Sequence, residues 1–194
     1  MTKSILLVGV GGQGTILAGK ILTNGLLDAG YDVKMSEIHG MSQRGGSVST
    51  HVRYGEGVES PVIELGGADI LVAFELMEAL RWLEYLKPSG NLIVNNYKIN
   101  PTPVLTGRAE YAGDILQHME SKVKTIAFDA FGEAVSLGDS RAMNTLLLGA
   151  VVNRVGLTDI DWKDVIKREV RPAFYELNVK AFERGSELAG GDLT

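Results

Sequence analysis

The chain has 194 residues, no cysteine and a formal net charge of -5 at neutral pH. Without cysteine it has no disulfides, no thiolate chemistry and no cysteine-held iron-sulfur cluster of its own. The acidic balance, with no basic run among aromatics, argues against nucleic acid as a partner. Hydrophobic residues make up 45% and charged residues 22% of the chain, as in ordinary globular proteins. One well-buried domain over residues 1–189 is expected, with no membrane span and a cytoplasmic location.

The N-terminal stretch sets the pattern. An apolar run over 5–10 predicts a buried strand, and apolar residues at helical spacing predict a helix over 13–29. Between them Gly9, Gly11 and Gly14 fit GxGxxG, with Gly12 and Gln13 inside the turn. That spacing permits a tight turn, close approach of backbone to a ligand and close helix-to-strand packing. A helix start after such a turn aims unpaired N–H groups and the positive dipole end at one point. It therefore reads as an anion or phosphate cradle, or as a tight connection whose glycines serve packing only.

Gly30 stops the helix, and 31–37 alternates as a second strand that completes a βαβ unit. Glu37 falls where a dinucleotide-binding unit places its ribose-binding acid. A polar loop follows, His39, Gly40, Met41, Ser42, Gln43, Arg44, Gly45 and Gly46. The alternation over 47–54 sets Val48, Thr50, Val52 and Tyr54 on one face and Ser47, Ser49, His51 and Arg53 on the other, a half-exposed strand. A turn at 55–57 leads into a strand over 58–63, which Pro61 confines to an edge or bulge.

Beyond this come a core strand over 68–74, a helix over 76–86 ended by Pro88 and Gly90, and a buried strand over 91–96. A connection over 97–113, a short helix over 115–119 and a strand over 122–128 follow. The remainder is helical: 130–137, 141–154 with Ser140 as N-cap, 162–170 capped by Asp161, and 172–188 with Pro172 in its first turn. The glycine-rich tail 190–194 is expected to be disordered. The alternation of elements argues for an α/β fold of three layers: a mostly parallel sheet with helices on both faces, a short antiparallel addition and a helical C-terminal part.

In open α/β sheets ligands gather beyond the carboxyl ends of the strands, so the turn at 9–14 and the loop at 37–46 should face one site. Arg44 can pair bidentately with a carboxylate or phosphate, Ser42 and Gln43 can donate or accept, and Gly45 and Gly46 admit close backbone approach. Asn144, one turn into its helix, can point to the same cleft. His39, His51 and His118 lack metal-ligand spacing, so no metal site is expected. No nucleophile elbow is present, and no catalytic residue is assigned.

The combination GVGGQGTILAGKIL over 9–22 with EIHGMSQRGGSVSTHVRYG over 37–55 resembles the gamma-type subunit or domain of the 2-oxoacid:ferredoxin oxidoreductases. Within that family the likeness is to the small, beta subunit of the indolepyruvate-dependent enzyme. The resemblance implies one gamma-type domain within a heteromeric complex. It also implies thiamine-diphosphate-dependent oxidative decarboxylation of a 2-oxoacid, such as an aryl pyruvate, to an acyl-coenzyme A, with electrons passed to ferredoxin. This chain has no cysteine and no GDG followed by NN to hold the diphosphate and its metal. Thiamine diphosphate, Mg and the iron-sulfur clusters are therefore expected in a larger partner subunit, coenzyme A is the co-substrate, and the isolated chain is expected to be inactive. Whether the two loops meet substrate, coenzyme A or the partner stays open. The other reading from the residues is a free-standing dinucleotide-binding protein using the GxGxxG turn and Glu37.

Overall fold

A computed structural model describes residues 2–39 and 45–190. Its centre is a six-stranded sheet of order β2-β3-β1-β4-β5-β6. Strand β1 (Lys3–Val10) turns through the glycines into α1 (Thr15–Asp28). Residues Ile5 and Leu7 enter the core on one face of the sheet, Leu6 and Val8 the core on the other. A strand buried on both faces reads as a continuous apolar run, as this one does. Helix α1 buries Ala18, Ile21, Leu22 and Leu26 at helical spacing against the first of these faces.

The α/β class, the helices on both faces and the helical C-terminal part are as the sequence implies, whereas the βαβ unit is not. Strand β2 (Asp32–His39) does not pair with β1; β3 (Ser47–Gly55) lies between them, antiparallel to both. Thus β3 is an interior strand, and Ser49 and His51, expected on a half-exposed face, are 2% and 3% exposed. No strand forms over 58–63. This segment crosses the outward face of β3 as a strap, with Arg53 donating to the carbonyl of Ser60 at 3.0 Å and Ile63 N–H donating to His51 Nδ1 at 3.2 Å. Pro61 lacks a donor, and β3 already has two strand neighbours, so the segment has no ladder to join.

Strand β4 (Ala68–Ala73) runs parallel to β1 and leads into α2 (Leu76–Trp82), with a 3-10 turn over Leu83–Tyr85. Strand β5 (Leu86–Asn95) then begins five residues earlier than expected. Pro88 and Gly90 belong to it, beside a register shift against β4, rather than to a loop that stops the helix. Helices α3 (Thr102–Leu105) and α4 (Ile115–Glu120) precede β6 (Lys124–Phe128), parallel to β5.

Helix α5 (Ala130–Leu137) is followed by a 3-10 turn at Ser140–Ala142 and α6 (Met143–Val155). The cap of that turn is Asp139, whose carboxylate accepts from Arg141 N–H, and not Ser140. Asp161 caps α7 (Trp162–Glu169) as expected, accepting from Asp164 N–H at 3.1 Å. A 3-10 turn at Pro172–Phe174 then opens α8 (Tyr175–Ala189). Helices α6 and α8 cross so closely that a Cβ at Gly149 would meet Phe182 O, and one at Gly185 would meet Leu146 O. Gly190 closes α8; the rest of the tail lies outside the described residues.

Candidate ligand cleft at the glycine turn

The glycine turn stands at the carboxyl edge of β1. Gly12 and Gly14 have φ of 106° and 83°, values that favour glycine. Gly9 has no room for a Cβ, which would sit 2.9 Å from Gln13 Oε1 and 3.0 Å from Phe74 Cβ. Gln13 fastens the turn from within: its Oε1 accepts from Val10 N–H at 2.8 Å and its Nε2 donates to Phe74 O at 2.9 Å. Asn144, 4% exposed, donates to Gly14 O at 3.3 Å and so ties the start of α6 to the turn.

Residues Gly11, Gly12, Gln13, Gly14 and Asn144 line a cleft of about 780 Å³. Its opposite wall comes from the C-terminal helices, with Asp139, Arg141, Met143, Arg171, Phe174 and Asn178. Tyr97 and Phe131 also line it, stacked with centroids 4.6 Å apart. Asn95, fully buried, sets the relative placement of these walls. Its amide donates to Phe74 O at 3.1 Å and its carbonyl accepts from Ala130 N–H at 2.9 Å, joining the ends of β4 and β5 to the start of α5.

Arg141 carries the most elaborate polar geometry of the cleft. Its Nε and Nη2 donate to both oxygens of Asp139, at 2.9 Å and 2.5 Å to Oδ2, while its guanidinium carbon lies 4.9 Å from the Phe174 ring centroid. The arginine holds the Asp139 carboxyl down at about 2. On β3, away from the cleft lining, burial pushes the His51 imidazole below its ordinary value. This histidine is hydrogen-bonded inside the fold, its Nδ1 accepting from Ile63 N–H. Among the described residues no three His, Asp or Glu side chains gather as for a metal ion, and no helix is long and apolar enough to cross a membrane.

Of the loop residues, Gly45 and Gly46 do meet the turn: Gly11 N–H donates to Gly46 O at 2.8 Å and Gly45 N–H to Gly11 O at 3.2 Å. Met41, Ser42, Gln43 and Arg44 lie outside the described residues. Glu37 is not beside the turn strand but on the edge strand, opposite Thr50 of β3. The inserted strand removes the adjacency a ribose-binding acid requires in a dinucleotide unit. Asn95, Arg141, Arg171 and Phe174 have no motif around them that marks a site. Near them the sequence singled out Ser140 as an N-cap, Asn144 as able to point to the cleft and Pro172 as a first-turn residue.

A strand, a glycine turn and a helix start, facing a helical wall in a mixed six-stranded sheet, define an α/β domain with a candidate ligand cleft. The chain belongs to the pyruvate ferredoxin/flavodoxin oxidoreductase family, whose sequence pattern matches residues 4–188. It is 38% identical to the indolepyruvate oxidoreductase subunit IorB of Pyrococcus horikoshii, over 96% of this chain and 95% of that one. It is 30% identical to the 2-oxoglutarate synthase subunit KorC of Methanothermobacter marburgensis, over 97% of each. The gamma subunit of a keto/oxoacid ferredoxin oxidoreductase from Geobacter sulfurreducens shares the fold with a TM-score of 0.72 at 26% identity, over 96% of this chain and 98% of that one.

Proposed function

We propose that this chain is the small, gamma-type subunit of a cytoplasmic, thiamine-diphosphate-dependent 2-oxoacid:ferredoxin oxidoreductase, and that its cleft receives the nucleotide end of coenzyme A. The observation that carries this reading is the cleft itself. It combines a glycine turn and two guanidinium groups, suited to phosphate, with an aromatic stack suited to a planar base. The Asp139–Arg141 pair is a poor proton carrier near neutrality, since the acid is held at about 2 and an arginine stays charged. The cleft is thus equipped to bind and position rather than to perform acid-base chemistry.

The donor set of this chain does not fit an iron-sulfur cluster, because it has no cysteine. The clusters, thiamine diphosphate and Mg belong to a larger partner subunit, and ferredoxin is reached through the complex. Similarity to IorB above that to KorC favours indolepyruvate or another aryl pyruvate as the oxoacid. Arg44, a fork for a carboxylate or phosphate, is part of this reading as a residue of the sequence motif.

The purified chain should be colourless and should leave a 2-oxoacid, coenzyme A and a viologen acceptor unchanged. The complex captured with its native partner should reduce the acceptor in a coenzyme A-dependent reaction, with indolepyruvate or phenylpyruvate preferred over pyruvate and 2-oxoglutarate. In that complex Arg44→Lys should lower turnover at least about tenfold, because the fork is lost. Acceptor reduction by the chain alone, or turnover indifferent to coenzyme A, would overturn the reading.

A further inference from the structure

We infer that the anionic group of the cleft's ligand is read from the α6–α8 wall by Arg141 and Arg171, with Asp139 as an internal counter-ion that the ligand displaces. This rests on the cleft being the coenzyme A site.

The two walls differ in what they hold ready. On the turn wall Val10 N–H, Gly11 N–H, Gln13 N–H and Gly45 N–H all donate within the fold, and both ends of the Gln13 amide are engaged. That wall offers shape and a helix start, with no charged side chain among its described cleft-lining residues. The opposite wall offers two guanidinium groups. The Arg171 side chain is exposed, lines the cleft, and has neither hydrogen bond nor ion pair among the described residues. Arg171 holds the N-cap position of the 3-10 turn that carries Phe174, the ring on which Arg141 stacks, with no side-chain cap bond.

Arg141 is already in the posture of an anion receptor. Its side chain is 73% exposed, Nε and Nη2 present a planar fork, and that fork is filled by the carboxylate of Asp139. A phosphate offers more negative charge and the same bidentate geometry, so it can take this fork from a carboxylate. An ion pair this exposed contributes little to folding, so the exchange of partners costs little. Asp139 keeps a place to go, because its Oδ1 also accepts from Arg141 N–H at 2.9 Å and remains as the cap of the turn. Glu169, the other acid of the cleft, is occupied by Asn24, whose amide donates to it at 2.7 Å. It is therefore less available as a competitor.

The test uses the complex captured with its native partner and compares Arg141→Ala, Arg171→Ala and Asp139→Asn, the last of which keeps an acceptor for the cap. Each arginine variant should raise KM for coenzyme A about tenfold or more while leaving KM for the 2-oxoacid unchanged. Asp139→Asn should lower KM for coenzyme A about threefold with kcat preserved, since the fork then stands open. Unchanged coenzyme A kinetics in both arginine variants would overturn the inference. So would a penalty that falls on the 2-oxoacid, which would make the anion a substrate carboxylate, or loss of the partner on gel filtration, which would make it an acidic interface group. If Asp139→Asn instead raised KM for coenzyme A as the arginine variants do, Asp139 would be a positioning residue and not a competitor. Wild-type turnover without coenzyme A is a different failure, that of the functional reading itself.

Discussion

The two walls of the cleft are built on opposite principles. The turn wall is a backbone structure: glycines with positive φ or no room for a side chain, fastened by Gln13 and Asn144. The α6–α8 wall is a side-chain structure, in which exposed guanidinium groups stand at the 3-10 turns that lead into two helices clamped together at Gly149 and Gly185. The first is rigid because its conformation is permitted only to glycine and its polar groups are satisfied locally. The second is chemically open because its charges face solvent. The difference teaches that shape and charge recognition in one cleft can come from segments far apart in the chain.

The sharpest way to break the comparison is to part the helices of the charged wall. Gly185→Ala drives a methyl group into the Leu146 carbonyl of α6, a backbone atom that cannot swing aside. The cost is expected to be about 3 kcal/mol, read as a lowered denaturant midpoint with the slope unchanged. Stability equal to that of the unaltered chain would show that the crossing is not tight.

On the turn wall, Gly14→Ala should cost about 2 kcal/mol, since the residue has φ of 83° and the new methyl would press on the Asn144 amide. Gly12→Ala shares the positive φ but meets nothing within 4 Å, so its cost should be smaller, about 1 kcal/mol. Equal losses in thermal or chemical unfolding would mean that backbone conformation alone, and not the contact with α6, sets the requirement at Gly14.

The smallest effect concerns the charge of the second wall. The Asp139 carboxyl is held below its ordinary 3.8 by Arg141, at about 2. A carboxyl depressed in the folded state contributes its stability fully above the ordinary value, and that contribution is lost as pH falls through the lowered one. The unfolding free energies of wild type and Asp139→Asn should therefore differ by a constant small amount above pH 3.8 and converge toward pH 2. A difference that changes near neutral pH would place another titrating group on this pair.

The sequence was a good guide wherever neighbours in the chain decide the outcome. An apolar run and helical spacing located β1 and α1, Asp161 announced α7, and Pro172 announced the start of the last helical segment. It misled where the decision was non-local. Residues 31–37 looked like the second strand of a βαβ unit, but the ladder gives β1's neighbouring position to β3, and Glu37 moves to the edge strand with it. The alternation over 47–54 was seen correctly, yet the polar face of Ser49 and His51 is buried because the strap at 58–63 and the side chains of Trp82 and Tyr85 pack over it.

For the cleft, residues of the GxGxxG turn line one wall together with Asn144, whereas Arg141, Arg171 and Phe174 sit in stretches that carry no motif. By itself the sequence determined the strand, the glycine turn and the helix start, because permitted φ values, caps and apolar periodicity are properties of adjacent residues. Only the tertiary structure decided the strand order and the charged wall. Pairing register and helix crossing depend on contacts between residues such as Gly14 and Asn144, or Leu146 and Gly185, which no local pattern encodes.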